Sequence, residues 1–376
     1  MSLWDLLTDY TLQNVAMGAA ILGVVSGMLG SFAVLRQQSL VGDALSHAAL
    51  PGVCLGFLAA GTRDLGAIMA GALLTGGLAA LAILLLTRLT RLKTDAAIGI
   101  SLSVFFAAGV VLLTVIQGRG GASQAGLETF LFGQAAAILR GDLWVMGGIA
   151  AAALAVLAAF WKEFKLVAFD PVLARTLGLP VTALEVTLTV MVALAVVVGL
   201  QMVGVVLMAA MVIAPAVAAR QWTRRLEHMV LLAAAFGVVS GISGAVISAL
   251  ARGLATGPLI VLAASAIVLV SILFAPGRGV VWDVARRAAQ RRALRGRQVL
   301  ATLARLAREH GDPAYPAEQG MLDAYHRLKT RAVLERLSVQ GFVAAATHMP
   351  GEGAHWVLTP EGRAEAERVL AEIGGA

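Results

Sequence analysis

The sequence has little cysteine and few of the motifs that soluble enzymes carry. Cys54 is the single cysteine in 376 residues, which excludes an intramolecular disulfide and a structural zinc site built from cysteines. No GxxxxGKS or GxxxxGKT phosphate-binding loop occurs, so we do not expect this chain to hydrolyse ATP by itself. The opening segment MSLWDLLTDYTLQN contains no Lys or Arg and therefore lacks the basic region of a cleavable signal peptide.

Charge is also scarce, and it is unevenly placed. Charged residues make up 14% of the chain and hydrophobic residues 59%, with a mean hydropathy of +0.85. Soluble chains are usually about 25% charged, so most of this chain is predicted to lie in lipid. From Gly277 onward, however, the sequence holds 15 of the 29 Lys and Arg residues and 11 of the 22 Asp and Glu residues. This break predicts a membrane domain at residues 1–278 and a smaller water-soluble domain at residues 279–376.

Long apolar runs predict the architecture of the membrane domain. Runs of about 18–25 apolar residues can cross the hydrocarbon core as helices. Nine spans are predicted, at residues 14–35, 39–60, 64–87, 95–116, 142–160, 182–200, 202–219, 226–250 and 256–275. Leu127–Leu139 is too short to span and is predicted to be a re-entrant or interfacial helix near the outer face. The predicted fold class is thus an all-α polytopic membrane bundle of about nine transmembrane helices plus a re-entrant helix, followed by a small cytoplasmic domain.

Basic residues in the short loops predict the orientation, because cytoplasmic loops carry an excess of Lys and Arg. With the N-terminus outside, ten basic residues fall in inner loops and four in outer loops. The inner residues are Arg36, Arg88, Arg91, Lys93, Lys162, Lys165, Arg175, Arg220, Arg224 and Arg225, and the outer residues are Arg63, Arg119, Arg140 and Arg252. We therefore expect an N-terminus outside an inner membrane and a cytoplasmic C-terminus.

The second predicted span carries two ionisable residues, Asp43 and His47, on one helical face because they are four residues apart. His47 follows Arg36 by 11 residues, which is about 16 Å along a helix and places the pair near the bilayer midplane. Ionisable groups at that depth usually mark an ion pathway. A carboxylate and an imidazole form half of a site for zinc, manganese or ferrous iron, and two such halves across a dimer would supply four ligands. The alternative is that the two side chains simply hydrogen-bond each other or the nearby backbone.

The segment GDALSHAALPG at residues 42–52 resembles the signature of the zinc/manganese/iron ABC-transporter permeases. Similarity to that family continues in Lys93–Leu112, Leu131–Gly133 and Gly199–Ala219, so it covers about residues 14–275. The resemblance implies a permease subunit in which Asp43 and His47 belong to the metal pathway, with no permanently bound cofactor. It also implies partners: a separate ABC ATPase, an extracytoplasmic metal-binding protein and a second permease subunit, identical or related, all at a lipid membrane.

The longest inner loop contains FDPVLARTLGLPV, residues 169–181, which resembles the segment through which this family docks into its ATPase. Asp170 and Pro171 predict a helix start, and Gly178 followed by Leu179 and Pro180 predicts its end. The residues assigned to coupling by this resemblance are Asp170, Pro171, Ala174, Leu177, Gly178 and Leu179. The alternative is an ordinary amphipathic interfacial loop. Glu185, one turn into the next span, is either a pathway carboxylate or an interfacial residue.

The residues after about 285 predict helices, then two strands around a Pro-Gly-Glu-Gly turn, then a final helix that opens at Thr359-Pro360. This order, and the segment LKTRAVLERLSVQGFV, resemble the winged helix-turn-helix module of iron-dependent repressors. The net charge of the domain is only about +4, from 15 basic minus 11 acidic residues, and seven of those bases precede Gln298. Such a juxtamembrane cluster is typical of contact with anionic lipid, so we expect regulatory or assembly contacts rather than sequence-specific DNA binding. The alternative is a relic module with little role.

Two other functions are alternatives to import of a free metal ion. A permease for a metal chelate, such as a siderophore, has a similar architecture but needs no protein ligands, so the Asp43 and His47 pair argues against it. A membrane-anchored transcription regulator needs far fewer spans than nine. The sequence does not select among manganese, zinc and ferrous iron, since Asp and His suit all three.

Overall fold

The structure is a computed structural model that describes residues 10–38, 40–61, 64–118, 133, 138–250, 254–346 and 353–374. The chain divides into two compact units. Met1–Gly279 is called the membrane unit here, and Val280–Ala376 the C-terminal unit. Each unit has a hydrophobic core of its own.

The membrane unit is entirely helical in the residues described. Its helices are α1 Tyr10–Leu35, α2 Leu40–Ala60, α3 Leu65–Leu89, α4 Thr94–Gly118, α5 Arg140–Ala159, α6 Trp161–Phe169, α7 Pro171–Thr176, α8 Val181–Val203, α9 Val205–Trp222, α10 Leu226–Leu250 and α11 Thr256–Phe274. The six-residue α7 and the nine-residue α6 are far too short to cross a membrane.

Eight helices in the described part of the chain are long and apolar enough to cross a membrane, which agrees with eight of the predicted spans. The prediction of a mostly helical, multi-span chain is therefore confirmed. The remaining span, predicted at 202–219, corresponds to α9, where the apolar stretch Leu207–Trp222 is shorter, so the count of nine stays a prediction. The predicted re-entrant helix at Leu127–Leu139 lies, apart from Gly133, Ile138 and Leu139, outside the described residues.

Helices α1 and α2 form the centre of the membrane unit. Within their span windows 72% and 78% of residues are buried, against 22% for α4 and α11. Glycines bring the central helices into backbone contact, as is common where no hydrophobic effect drives helices together in lipid. A Cβ at Gly23 of α1 would overlap the Gly237 carbonyl of α10, and one at Gly52 of α2 would overlap the Gly71 carbonyl of α3. The helix that carries Asp43 and His47 is thus held tightly at the core.

The C-terminal unit consists of α12 Val280–Glu309, β1 Ala317–Glu318, α13 Gln319–His326, α14 Arg331–Val339, β2 Val343–Ala346, β3 His355–Leu358 and α15 Pro360–Gly374. The three strands form an antiparallel sheet in the order β1-β3-β2. Side chains of α12, α13, α14 and the sheet share one core, which includes Leu303, Leu322, Leu334 and Trp356. The elements follow the predicted order, while the assignment to a winged helix-turn-helix remains a prediction.

Short polar contacts fix two turns of the C-terminal unit. The Thr330 hydroxyl and N–H both donate to Oδ1 of Asp323, each at 2.6 Å, and thereby hold the start of α14. These bonds, that of the hydroxyl first, lower the pKa of the Asp323 carboxyl. After α14, Gly341 adopts a φ of +80°, and the Thr359 hydroxyl donates to its carbonyl oxygen at 2.6 Å.

Candidate metal pathway

Asp43 and His47 lie on α2, one turn apart, as their spacing predicts. His47 Nε2 is 3.4 Å from Asp43 Oδ1, and the two side chains are 17% and 31% exposed. Ser46, between them in sequence, is buried, and its hydroxyl donates to the Asp43 carbonyl oxygen rather than to either side chain. The carboxylate and the imidazole therefore face each other on a surface that is only partly covered by the rest of the membrane unit.

The imidazole of His47 is not fully satisfied by its surroundings. Its ring meets the ring of Phe106 on α4 edge to face, with 4.8 Å between centroids. Its Nδ1 is buried and has no hydrogen-bond partner among the described residues. A buried imidazole nitrogen without a partner is costly, so the simple explanation of a mutually satisfied Asp–His pair leaves one nitrogen unexplained.

The pair supplies only two protein ligands. Among the described residues no group of three or more His, Cys, Asp or Glu side chains could hold a metal ion. Zinc usually takes four ligands and manganese six, so this pair is chemically a half-site. Cys54, a further seven residues along α2, is buried, and its Sγ lies 3.9 Å from the Gly109 carbonyl oxygen. Pro51 lies inside the same helix.

The predicted coupling residues form the short helix α7 and the turn that follows it. Asp170 caps α7, since its Oδ1 accepts from the N–H groups of Val172 at 3.1 Å and Leu173 at 2.9 Å, and Pro171 occupies the first turn. Ala174 is fully buried, which anchors α7 to the rest of the unit. The turn ends at Gly178 with a φ of +79°, and the Leu179 N–H donates to the Ala174 carbonyl oxygen.

The opposite face of α7 presents apolar side chains to the surroundings. Val172, Leu173 and Leu177 are exposed, as is Phe169 just before the helix. Four exposed apolar side chains this close together suit contact with another protein or with the membrane interface. The Asp43–His47 pair and these side chains lie on different elements, and sequence reasoning alone did not connect them.

Glu185 provides a connection that the sequence did not reveal. It lies on the second turn of α8, directly after the α7 turn, and forms ion pairs with two arginines. Arg36 Nη2, in the loop between α1 and α2, is 3.1 Å from Glu185 Oε1, and Arg88 Nη2, at the end of α3, is 3.0 Å from Oε2. Arg36 is 11% exposed and Glu185 22%, so this pair is largely withdrawn from solvent.

These three residues and Arg175 of α7 line one cavity of about 520 Å³, called the arginine cavity here. The cavity is also bounded by Val41, two residues before Asp43 on α2, and by Thr87 and Thr189. Three of the basic residues predicted to lie in inner loops therefore share one side of the bundle. A signal in the sequence was available: Glu185 is the one carboxylate inside the span that follows the coupling segment, and α8 begins on the side of these arginines.

Comparison with known proteins yields consistent matches over most of the chain. The family described as the ABC 3 transport family matches residues 8–275. The manganese transport system membrane protein MntC of Bacillus subtilis is 48% identical over 299 residues, covering 80% of this chain and 69% of that protein. The zinc transport system membrane protein TroC of Treponema pallidum is 47% identical over 286 residues, covering 76% of this chain and 96% of that protein. The structure of PsaBC from Streptococcus pneumoniae in complex with Fab is 35% identical with a TM-score of 0.64, covering 73% of this chain and 95% of that one.

Proposed function

The chain belongs to the ABC 3 transport family, and on that basis we propose that it is the membrane permease subunit of an ATP-driven importer of a divalent transition metal. The two relatives described above are named as manganese and zinc transport membrane proteins, which supports the proposal that this chain transports a divalent metal ion. The chain contains no phosphate-binding loop, so the ATP would be hydrolysed by a separate ATPase subunit.

The observation that carries this proposal is the Asp43–His47 pair. It sets a carboxylate next to an imidazole on one face of an apolar, core helix, and one nitrogen of that imidazole has no hydrogen-bond partner in the part of the chain that the structure describes. Ionisable groups inside a membrane are costly and are retained mostly where ions pass. We infer that the cargo metal binds these two side chains near the middle of the membrane.

A second permease subunit would complete the site. Two half-sites facing each other would supply two carboxylates and two imidazoles, which is a suitable set for manganese, zinc or ferrous iron. Both side chains are partly exposed on the isolated chain, as a shared site requires. The subunit is thus proposed to work as a dimer, with itself or with a related chain, and to receive the metal from an extracytoplasmic binding protein.

The exposed apolar face of α7 is proposed to dock into the ATPase. Val172, Leu173 and Leu177 would become buried there, while Asp170 and Gly178 hold the helix in shape. With Arg36, Arg88 and Arg175 on one side of the bundle, the excess of basic loops favours placing that side in the cytoplasm. This orientation puts the N-terminus outside and the C-terminal unit in the cytoplasm.

The C-terminal unit is proposed to make regulatory or assembly contacts rather than to read DNA. The first half of α12 carries Arg286, Arg287, Arg291, Arg292 and Arg295, a cluster suited to the anionic lipid surface next to the last span. A domain that tracks DNA phosphates needs a positively charged face away from the membrane, and the rest of this unit is close to neutral. We expect the complex to transport metal without DNA binding by this unit.

Reconstitution tests the proposed function directly. The permease, its ATPase and a metal-binding protein are placed in proteoliposomes, and uptake of Mn²⁺ and Zn²⁺ is followed with and without ATP. ATP-dependent accumulation of either ion is the expected result. Uptake only when the metal is supplied within an organic chelate would instead assign the chain to chelate import.

A further inference from the structure

We propose that the Glu185 carboxylate is a second ligand position for the divalent cation, on its way out of the membrane unit, and that Arg36 and Arg88 occupy it in the structure described here. The inference rests on the proposed function and extends it to the exit side. It assigns Glu185, which the sequence left open between a pathway role and an interfacial one, to the pathway.

The charges around Glu185 support this assignment. Two guanidinium groups approach its two carboxylate oxygens, one each, at 3.1 and 3.0 Å. Together they bring two positive charges, the charge of one divalent cation. Exchange of the two guanidinium groups for one metal ion would leave the charge next to the carboxylate unchanged, so Glu185 is paired both before the arginines leave and after the metal binds.

The arginine cavity has room and donors for a hydrated cation. Its volume is about 520 Å³, and the hydroxyl-bearing residues Thr87, Thr94 and Thr189 and the amide-bearing Gln38 line it. Carboxylate, hydroxyl, amide and water oxygens suit a hard cation such as Mn²⁺. Because Glu185 is the only carboxylate among the described residues that line the cavity, the site would bind metal weakly, as a site of release requires.

The arginine cavity, which Glu185 lines, is also lined by a residue close to the Asp43–His47 pair in sequence and by a residue of α7. Val41, which lines the cavity, is two residues before Asp43 on α2, so the cavity lies within one helical turn of the Asp43–His47 pair along that helix, although neither residue of the pair lines it. Arg175, on α7, lines it from the other side, and α8 follows α7 after the turn at Gly178. Movement of the coupling helix would therefore reach Glu185 through a few residues of continuous backbone.

While Arg36, Arg88 and Arg175 remain in place, the cavity carries three positive charges and one negative charge. A divalent cation leaving Asp43 and His47 would be repelled by this excess. Separation of the arginines from Glu185 would remove the repulsion and expose the ligand at the same time. The ion pairs thus account both for a closed exit and for its opening.

A binding experiment on the purified full-length chain tests the ligand assignment. All variants also carry Asp43→Asn and His47→Ala, so that these two proposed ligands contribute no binding; the chain with these two changes alone is called the background. Free Mn²⁺ is measured by electron paramagnetic resonance. Adding Arg36→Gln and Arg88→Gln should create Mn²⁺ binding that the background lacks, and adding Glu185→Gln on top should remove it. Arg88→Gln alone, which alters the more exposed arginine, serves if the double change lowers the yield of folded protein.

The outcomes separate the possibilities. No added Mn²⁺ binding in folded arginine variants, or added binding that survives Glu185→Gln, would overturn the assignment and leave Glu185 as a purely structural ion-pair partner. Because the background already lacks Asp43 and His47, failure of the central site to carry metal would not alter this result.

A transport experiment provides the second readout. In the reconstituted complex, Glu185→Gln should lower the maximal uptake rate of Mn²⁺ by about tenfold, with little change in the Mn²⁺ concentration for half-maximal uptake. Glu227→Gln, which breaks the exposed ion pair with Lys165 elsewhere in the membrane unit, is the matched control and should transport normally. Equal rates in Glu185→Gln and Glu227→Gln would contradict an exit role.

Discussion

Asp43 and Glu185 are both carboxylates set into apolar helices of the membrane unit, yet their surroundings differ. Asp43 meets one imidazole at 3.4 Å, and that imidazole keeps a buried nitrogen without a partner among the described residues. Glu185 meets two guanidinium groups, one on each oxygen. The first cluster has ligand capacity to spare, and the second has its capacity filled from within the chain. On the proposed pathway, the Asp43–His47 pair can therefore accept a cation directly, whereas Glu185 must first separate from Arg36 and Arg88.

The largest effect is expected at the Asp43–His47 pair. Asp43→Asn or His47→Ala removes one of only two protein ligands in the half-site, so metal uptake should fall by more than about tenfold, the size of effect seen even for residues that only support a metal ligand. Uptake of Mn²⁺ or Zn²⁺ in proteoliposomes measures it, with membrane insertion checked by solubilisation and size-exclusion chromatography.

His228→Ala is the matched control for the histidine change, since His228 is exposed at the start of α10. It should transport at the rate of the unaltered chain. Unchanged uptake in both Asp43→Asn and His47→Ala would show that these two residues are not part of the metal pathway.

A smaller but clear effect is expected at α7, the proposed contact with the ATPase. Leu177→Asp places a charge on the exposed apolar face of α7, which would be buried and unpaired in a docked complex. Co-purification of the ATPase should fall by at least about tenfold, roughly 1.4 kcal/mol. Metal binding at Asp43 and His47 should remain.

Leu139→Asp is the corresponding control, because Leu139 is about equally exposed but lies at the start of α5, on the predicted outer side. It should leave the complex with the ATPase intact. If Leu177→Asp also leaves the complex intact, with ATP hydrolysis still stimulated by metal, the coupling surface lies elsewhere.

A third change acts on the packing of α2, which carries Asp43 and His47, against α3, which carries Arg88. A methyl group at Gly71 of α3 would overlap the Gly52 carbonyl of α2, so Gly71→Ala should force the two helices apart. The expected loss of stability is about 1–3 kcal/mol, the usual range for overpacking. It would appear as a lower unfolding temperature of the detergent-solubilised protein.

Gly76→Ala adds the same methyl group on the same helix, where nothing lies within 4 Å. It should unfold at the temperature of the unaltered chain. Equal stability of the two variants would show that backbone contact at Gly52 and Gly71 does not hold α2 against α3.

The smallest effect concerns a carboxylate outside the membrane unit. Asp323 accepts two hydrogen bonds from Thr330 and carries a pKa below its usual range for that reason. A lowered pKa contributes stability above the unfolded value of about 3.9, and that contribution is lost as the pH falls through the folded value. Thr330→Val should therefore increase amide hydrogen exchange in α14 at neutral pH by a few-fold, and less so in acid.

Thr302→Val is a suitable comparison, because the Thr302 hydroxyl donates only to a backbone carbonyl of its own helix, at 3.0 Å. Exchange in α14 should be unaffected by it. Equal exchange in both variants would mean that the two hydrogen bonds from Thr330 to Asp323 contribute nothing measurable to the stability of α14.

Local patterns in the sequence predicted a large part of this structure. The spacing of Asp43 and His47 fixed their shared face, because a helix repeats every 3.6 residues. Asp170 and Gly178 predicted where α7 starts and stops, because each acts on the backbone next to it. The family was also identified correctly from short motifs, and the match spans residues 8–275.

Contacts between distant segments could not be predicted in the same way. The partners of Glu185 lie 97 residues away at Arg88 and far earlier still at Arg36, and only the packing of α1, α3 and α8 brings them together. The exact point at which α8 ends and α9 begins could not be predicted either, since an apolar composition does not state that Gly204, with a φ of +89°, separates the two helices. Periodicity determines faces of helices, whereas the pairing of those faces depends on the whole bundle.

The glycine contact between α1 and α10 has a mechanical consequence for the membrane unit. Backbones that touch at Gly23 and Gly237 have no side chain between them to reorient, so these two helices should move as one rigid body. Helix α8 meets its surroundings differently, through the flexible side chains of Met202 against Gly18 and of Met208 against Gly199. Methionine side chains adapt to a shifted neighbour at little cost. At these two positions α8, which carries Glu185, can therefore shift against its neighbours more readily than α1 and α10 can shift at their backbone contact.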